Sequence, residues 1–397
     1  MSNPVSLSLD GAFWDVQLYQ GLLYLFKRDS TLMVLDWDAL IASWEIDPHL
    51  AIALESSFRE NSLLYKVLGD PRAANDPDLT YLLASKLSAL SGLDLTISEE
   101  QMRRFTLGTF DSPFAFPHAD SEVHYGWLAV GSDDGIEAAH LRRRKAVGKR
   151  VWLDSGAARY WDGPVYGLSA AFRSFAIASG TDGVAVLDLP TDDTDRPLSE
   201  PVLAGDGTFY IGCSWLYASV FCTARRGSGM VIQYSWATEQ ERDPPRRHRH
   251  LVGVLQGERL VGARELTWAA RDKLYAISEG GVTALRFRPT EELGGKVTAI
   301  DRQELPHGLV VQDAASAIFG TVLEVDDGLR ILATDGSIHE LGGPVVRWRM
   351  YPRSTYYDNQ LHVILDDRLL VLSFSHDYFV DQRTKAWGSR LDARRLL

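Results

Sequence analysis

Residues 360–374 read QLHVILDDRLLVLSF, with two short apolar runs on either side of Asp366 and Asp367. Adjacent acidic residues suit a tight turn. An apolar run, a short polar turn and a second apolar run together predict a β-hairpin. Both runs are apolar almost throughout, which is typical of strands that are buried on both faces of a sheet. The stretch therefore predicts a hairpin inside a protein core.

The same hairpin pattern recurs along the chain, often with glycine in the turn, as at Gly280-Gly281 and Asp335-Gly336. Diglycine and Asp-Gly turns between apolar runs are strong hairpin signals. Successive units begin about 30 to 55 residues apart once a helical segment is set aside, the range of repeat architectures. The seven units span residues 22–37, 127–141, 174–189, 219–236, 273–287, 328–341 and 360–374.

Repeats of this length, each a hairpin with one or two flanking strands, resemble the blades of a β-propeller. One four-stranded sheet cannot bury both of its faces, whereas radially stacked sheets cover one another. The resemblance covers nearly the whole chain except residues 48–105. It implies an all-β fold, a seven-bladed propeller that is WD40-like in architecture. No unit ends in Trp-Asp or opens with Gly-His, as WD40 repeats do, and the fixed-phase diglycines of kelch repeats are missing, so no specific family is indicated.

The first unit predicts strands at residues 14–19, 22–26 and 31–37, with a last strand through residues 40–44. A short alternating run at residues 5–9 precedes it. Because a propeller must not leave a free sheet edge, we expect residues 5–9 to pair with the last unit as a closing strand.

Residues 48–105 have helical character in an otherwise strand-rich chain. Asp47-Pro48 and Asp76-Pro77 each place an N-cap residue before a proline that suits the first helical position. A capping box is predicted at residues 98–101. Leucines then recur with helical spacing at Leu79, Leu82, Leu83, Leu87 and Leu90. We predict a propeller at residues 1–47 and 106–397, with a helical insertion at 48–105 between the first and second blades.

Composition limits the function classes. The 397 residues carry a formal net charge of −12, which argues against a protein that coats nucleic acid or an anionic membrane. The N-terminal residues do not read as a signal peptide, and no apolar run reaches the length of a membrane span. With only Cys213 and Cys222 as cysteines, the sequence leads us to expect a soluble, cytoplasmic protein without a membrane partner.

Catalytic and cofactor motifs are missing from the sequence: there is no phosphate-binding loop, no nucleophile elbow and no His-Glu-x-x-His zinc motif. We therefore predict no catalytic residue, no cofactor and no metal site, and an enzyme is the less favoured class. An active site at the axial mouth of a propeller would gather single residues from several blades. Such a site leaves no local motif, so an enzyme remains an alternative.

Alternating polar residues at His118, Asp120, Glu122 and His124 would share one face of a strand. Neighbours on one face are about 7 Å apart, so four of them cannot converge on one ion. A solvent-facing strand edge or loop is the expected reading.

Two other polar groups also favour structural roles. Cys213 and Cys222 lack the further ligands that a metal site needs and are expected to be buried. Asp192, Asp193 and Asp195 do not have calcium-loop spacing and predict an exposed loop.

Two basic clusters interrupt the acidic background and are candidate contact sites, namely Arg142, Arg143, Arg144 and Lys145, and Arg246, Arg247 and Arg249. Both are predicted to lie in long connections between blades. They could bind an acidic protein surface or a phosphate-bearing partner, including RNA or DNA. A solvated loop is the alternative, because aromatic residues for base stacking are not interleaved with them.

The helical insertion is the feature that a generic propeller does not need. Its leucines, with Leu79, Leu83 and Leu87 as candidates, either pack on the side of the propeller or dock a partner. The leading hypothesis is a non-catalytic, protein-binding scaffold or regulatory subunit that uses the insertion and the basic loops. An enzyme with an axial site and a nucleic-acid-binding protein are the alternatives.

Overall fold

The computed structural model describes residues 3–59, 76–143, 151–153, 156–189, 202–216, 219–239, 246–278, 280–290, 294–334, 336–354, 356–374 and 387. Its strands form seven sheets of four or five strands, mostly antiparallel. Successive hairpins along the chain supply successive sheets. The protein is a seven-bladed β-propeller, as the hairpin repeat predicts.

The blades are numbered here in chain order of their first strands. Blade 1 contains β2 (Phe13–Tyr19), β3 (Leu22–Lys27), β4 (Thr31–Asp36) and β6 (Thr106–Asp111). Blade 2 contains β7 (Asp120–His124), β8 (Trp127–Ser132), β9 (Gly135–Arg143), β10 (Val151–Leu153) and β11 (Ala158–Trp161). Blade 3 contains β12 (Gly167–Ala171), β13 (Ser174–Ala178), β14 (Val184–Asp188) and β15 (Val202–Ala204). Blade 4 contains β16 (Tyr210–Leu216), β17 (Ser219–Ala224), β18 (Met230–Glu239) and β19 (Arg246–Gln256).

Blade 5 contains β20 (Leu266–Ala270), β21 (Lys273–Ser278), β22 (Gly281–Pro289) and β23 (Gly295–Glu304). Blade 6 contains β24 (Val311–Ala317), β25 (Gly320–Val325), β26 (Gly328–Ala333) and β27 (Ile338–Gly342). Blade 7 contains β28 (Arg347–Met350), β29 (Gln360–Ile364), β30 (Arg368–Ser373), β1 (Val5–Asp10) and β5 (Leu95–Ile97). The helices in the described part of the chain are α1 (Trp37–Ala42), α2 (Pro48–Phe58), α3 (Pro77–Leu90), α4 (Glu99–Phe105) and α5 (Gly257–Val261).

The chain divides into two compact units. The first comprises Met1–Ser112, Arg143–Val151 and Gln312–Leu397, and the second comprises Pro113–Arg142 and Trp152–Val311. Apart from single residues at strand ends, blades 1, 6 and 7 belong to the first unit together with α1 to α4. Blades 2 to 5 and α5 belong to the second.

The predicted hairpins correspond to the second and third strands of their blades, with one exception in blade 6. There, the predicted unit at residues 328–341 covers β26 and β27, the third and fourth strands. The second and third strands, β25 and β26, meet instead across Asp326 and Asp327. Gly336 does lie in a turn, but this turn joins the third and fourth strands of its blade, whereas the predicted turns of the other blades join the second and third.

The expected closing strand is confirmed. β1 pairs antiparallel with β30, from Val5 opposite Ser373 to Asp10 opposite Arg368. The backbone N–H of Gly11 also donates to the carbonyl of Asp367 at 2.9 Å, at the turn of the final hairpin. The start of the chain therefore completes the last blade.

The predicted position of the helical insertion is wrong. The last strand of blade 1 is not at residues 40–44, because Asp36 caps α1 there by accepting from the backbone N–H of Ala39 at 3.1 Å. The fourth strand is β6, which pairs with β4 so that Thr31 lies opposite Asp111. The helices thus lie inside blade 1, between its third and fourth strands, and not between blades 1 and 2.

The local helix signals within the insertion are confirmed. Asp47 accepts from the backbone N–H of His49 at 2.9 Å at the start of α2. Asp76 accepts from the backbone N–H of Asp78 at 3.0 Å at the start of α3. Ser98 and Gln101 form the predicted capping box at α4. These caps satisfy backbone donors that a helix leaves open at its N-terminus.

The insertion is also joined to blade 7. β5 runs parallel to β1, with Leu7 opposite Leu95, and adds a strand to the outer edge of that blade. Buried side chains of the helices, such as Leu54 and Phe58, share one apolar cluster with Leu9 of β1. The insertion is therefore part of the core of the first unit.

Candidate functional site: an exposed helix face and an arginine groove

The candidate leucines of α3 lie on the buried side of the helix. The side chain of Leu87 is fully buried and that of Leu83 is 4% exposed, within the cluster that includes blade 7. Leu79 is partly buried. The burial removes Leu83 and Leu87 from the set of residues that could contact a partner, because their surfaces already cover the propeller.

The opposite side of α3 is exposed and uncharged over two turns. Tyr81 is 78% exposed and Leu82 is 53% exposed. The exposed positions that follow carry only small side chains, at Ser85, Ser88 and Ala89. Spacings of three, four and seven residues place these five residues on one helix face. A solvated helix face normally carries charged residues, so this face has the composition of a contact surface.

The C-terminus of α2 is anchored by buried polar side chains of the propeller. The Gln360 side-chain amide donates to the carbonyl oxygen of Ser57 at 3.0 Å, and the indole N–H of Trp37 donates to that of Phe58. The Asn359 amide also points at the Ser57 carbonyl, at 3.4 Å. These donors satisfy carbonyl groups that the last turn of a helix leaves without intrahelical partners. The insertion is thereby held in one orientation.

His362 belongs to the same buried network. Its two ring nitrogens hydrogen-bond to Tyr351 Oη at 3.2 Å and to Gln360 Oε1 at 3.0 Å. Burial, and secondarily the nearby Arg349 guanidinium, lower the pKa of His362 to about 3. The imidazole is therefore neutral and structural.

Asp15 forms a buried ion pair in the first unit. Its carboxylate is fully buried and accepts from Arg349 Nη2 at 2.9 and 3.1 Å, while Arg347 Nη1 lies 3.6 Å away. Arg347 in turn lies over the Trp14 ring, 5.5 Å from its centroid. These contacts join β2, the first strand of blade 1, to β28, the first strand of blade 7. A carboxylate saturated by arginine donors is a framework element and not a free acid or base.

The basic clusters are not the loops that the sequence predicts. Arg142 and Arg143 are the last residues of β9, and Arg246, Arg247 and Arg249 lie on β19, the edge strand of blade 4. The backbone of Arg249 pairs with that of Trp236 on β18. Charged residues on an edge strand oppose edge-to-edge pairing, which gives this cluster a structural explanation.

Arg144, Lys145, Asp192, Asp193 and Asp195 lie outside the described residues.

The alternating polar strand is not a solvent-facing edge. It is β7, and His118 just before it is 3% exposed. Asp120 Oδ2 accepts from the backbone N–H of Leu168 at 2.7 Å, which ties blade 2 to blade 3. In the described part of the chain, no three His, Cys, Asp or Glu residues are grouped so that they could hold a metal ion.

Cys213 and Cys222 lie opposite each other on β16 and β17 and are both reduced. Burial raises the pKa of both thiols. A protonated, buried thiol is a poor nucleophile, so these residues act as core side chains.

A groove of about 240 Å³ lies at one end of blade 4, where β16 and β18 begin and β17 and β19 end. Arg226 in the β17–β18 turn and Arg264 after α5 both line it. The lining residues come from separate connections, so no sequence motif marks this site. The one local feature is the polar segment at residues 225–229, inside the predicted hairpin unit at 219–236.

Comparisons with known proteins bear on the fold alone. No family model matches the chain, and no curated protein does. The β-propeller domain of Cps50 (Swd1) from Myceliophteria thermophila is similar over 94% of this chain and 99% of that chain, with a TM-score of 0.52 and 10% identity. The computationally designed protein Ika8 matches 94% of this chain and 100% of its own, with a TM-score of 0.42 and 11% identity.

The WD40 β-propeller domain of Doa1 covers 65% of this chain and 92% of its own, with a TM-score of 0.35 and 11% identity. At 10% identity, the likeness to the Cps50 (Swd1) domain establishes the propeller fold alone. None of the described helices is both long and apolar enough to cross a membrane.

Proposed function

We propose that this protein is a non-catalytic propeller that binds another protein through the exposed face of α3. The observation that carries the proposal is the uncharged face formed by Tyr81, Leu82, Ser85, Ser88 and Ala89. A large aromatic and an aliphatic side chain supply anchor area, and the small residues beside them allow close approach of a second helix.

The partner we propose is an amphipathic helix whose apolar stripe is flanked by Lys or Arg. Asp76 and Asp78 are exposed at the N-terminal end of the same helix, and the protein as a whole has a net charge of −12. Basic residues beside the stripe would meet these acidic groups and favour encounter. Leu87 anchors α3 to the core, and Gln360 anchors α2. Because the helix face is already ordered in the free protein, binding a partner there does not require the loss of conformational entropy that ordering a flexible segment would.

The experiment starts with co-purification of the intact protein from its native host and identification of the bound protein. Affinity is then measured for Y81A/L82S and for V310S, a matched control whose aliphatic side chain is 61% exposed elsewhere. We expect Y81A/L82S to weaken binding about 30-fold or more, as truncation of anchor residues does, while V310S binds like wild type. Unchanged affinity of Y81A/L82S would refute the α3 surface.

A further inference from the structure

We propose that the groove lined by Arg226 and Arg264 is a binding site for an oxyanion, either a carboxylate or a phosphate group. The site lies wholly within the second unit and is independent of the α3 surface. The inference rests on two arginines that form no ion pair within the described residues and on the joined loops that place both of them at one groove.

The two arginines are not paired within the described residues. Arg226 is exposed and forms no ion pair there, although the protein is rich in acidic residues. Arg264 is half-buried, and its Nε is buried without a hydrogen-bond partner in the same residues. A buried guanidinium donor that lacks an acceptor costs free energy, which a bound oxyanion would relieve.

The loops that carry both arginines are clamped together. The backbone N–H of Arg264 donates to Ser228 Oγ at 3.1 Å, and Ser228 Oγ donates to the Gly262 carbonyl at 2.6 Å. The backbone N–H of Gly227 donates to the Glu265 carbonyl at 3.1 Å. Gly257 completes the clamp, because a Cβ at this position would lie only 1.8 Å from the Ser228 carbonyl oxygen. The backbone segments that carry the two arginines are thus joined along one side of the groove.

The acidic groups at the groove form no ion pair with either arginine within the described residues. Asp206 is hydrogen-bonded to three lining residues, through one oxygen to Tyr210 Oη and the Thr208 N–H at 3.0 Å each and through the other to Gln256 Nε2 at 2.9 Å. Glu258 lines the groove but is exposed and makes no ion pair with either arginine. Because two carboxylates lie beside the two arginines, an oxyanion would be held by direct contact with the guanidinium groups and not by a net positive field.

The volume suits a small acidic group. A space of about 240 Å³ that is open to solvent is large enough for one phosphate, one dicarboxylate or a single acidic side chain. The planar fork of arginine matches the two oxygens of either group. Carboxylate and phosphate therefore share this chemistry, and separate titrations distinguish them.

The test is isothermal titration of the full chain with inorganic phosphate and, separately, with succinate. Three proteins are compared: wild type, R226Q/R264Q, and the control R225Q/R259Q. Arg225 and Arg259 are exposed in the same turn and on α5, but they do not line the groove. Both double variants remove two positive charges, so the overall change in charge is matched.

We expect wild type and R225Q/R259Q to bind at least one of the two anions with equal affinity. We expect R226Q/R264Q to bind it at least tenfold more weakly, a loss of about 1.4 kcal/mol. The anion that binds more tightly identifies the ligand class. Because Arg226 is exposed, R226Q alone keeps the fold and must also weaken binding. Absence of binding to wild type, or equal weakening in the two double variants, would overturn the proposal.

Discussion

Single buried polar residues tie the helical insertion and the propeller into one core, and His362 shows how. Its ring is enclosed between Tyr351 and Gln360, and Gln360 in turn holds the end of α2. The burial of this imidazole gives the fold a measurable dependence on pH. Asp15 likewise joins two parts of the fold, because its buried ion pair with Arg349 connects blade 1 to blade 7.

Stability should fall in mild acid because of His362. Burial lowers its folded pKa to about 3, below the unfolded value of 6.5. The stabilisation is therefore complete above pH 6.5 and is lost as the pH falls from 6.5 towards 3. From pH 7 to pH 5 the expected loss is about 2 kcal/mol of unfolding free energy. Denaturant titrations of wild type and H362Q should show it, with a flatter pH dependence for H362Q.

The exposed His307 supplies the control for this prediction. We expect the unfolding free energy of H307Q to follow that of wild type, because this substitution changes an exposed side chain and leaves the buried network of His362 intact. An H362Q variant whose unfolding free energy still falls as steeply as that of wild type between pH 7 and pH 5 would contradict the assignment.

Removing the charge of Asp15 should destabilise the protein strongly. D15N leaves the Arg349 guanidinium partly buried without its anionic partner, and breaking a buried pair in this way costs about 3–5 kcal/mol. D111N, an exposed aspartate of the same blade, should change the unfolding free energy by less than about 0.5 kcal/mol. Equal effects of the two substitutions in chemical denaturation would show that Asp15 is not paired in solution.

At the scale of elements, the two sides of α3 have different tasks, and a matched pair of substitutions separates them. Leu87 is fully buried whereas Leu82 is 53% exposed on the same helix. L87A should cost about 2–5 kcal/mol of stability, because it leaves a cavity in the core. L82A should cost less than about 0.5 kcal/mol. Thermal unfolding of both variants provides the measurement, and similar losses would mean that α3 is oriented differently.

Sequence patterns predicted the elements well where the signal was local. Asp47 and Asp76 mark helix starts because a cap and a following proline act within one turn. The stretch after Asp36 was misread as a strand, although Asp36 caps a helix there. Its apolar residues suit both a short strand and a buried helix, and only tertiary packing chooses between them. The insertion was therefore placed one strand too late.

The arginine groove could not be predicted for a related reason. Arg226 and Arg264 are 38 positions apart in the sequence and follow different strands. They come together because the β17–β18 turn and the segment after α5 lie at the same end of blade 4. The hairpin repeat predicts that both are connections, but it carries no information about which connections converge.

At the scale of the whole molecule, the chain closes its last blade with its first strand. β1 lies between β30 and β5, so both of its edges are hydrogen-bonded. This pairing was predictable, because a propeller with an open edge would expose unpaired backbone groups. It joins residues more than 350 positions apart. Bringing them together costs chain entropy, and the contacts that offset this cost form only once the other blades are in place.

Deleting residues 1–10 should therefore disrupt the fold well beyond the N-terminus. The deletion removes the buried side chains of Val5, Leu7 and Leu9, and it leaves β30 with a bare edge and β5 without its partner. We expect a lower thermal midpoint and a less cooperative transition. A synthetic peptide of residues 1–11, added in trans, should raise the midpoint progressively with its concentration, since a ligand that binds only the folded state stabilises by mass action.

Two controls make this experiment decisive. A peptide of the same composition in scrambled order should have no effect, because β1 needs alternating buried positions to fit against β30. In the full-length protein, L7D should reproduce the effect of the deletion, whereas S6D, on the partly exposed face of the same strand, should be tolerated. A truncated protein that unfolds at the wild-type midpoint with wild-type cooperativity would show that β1 does not close the blade in solution.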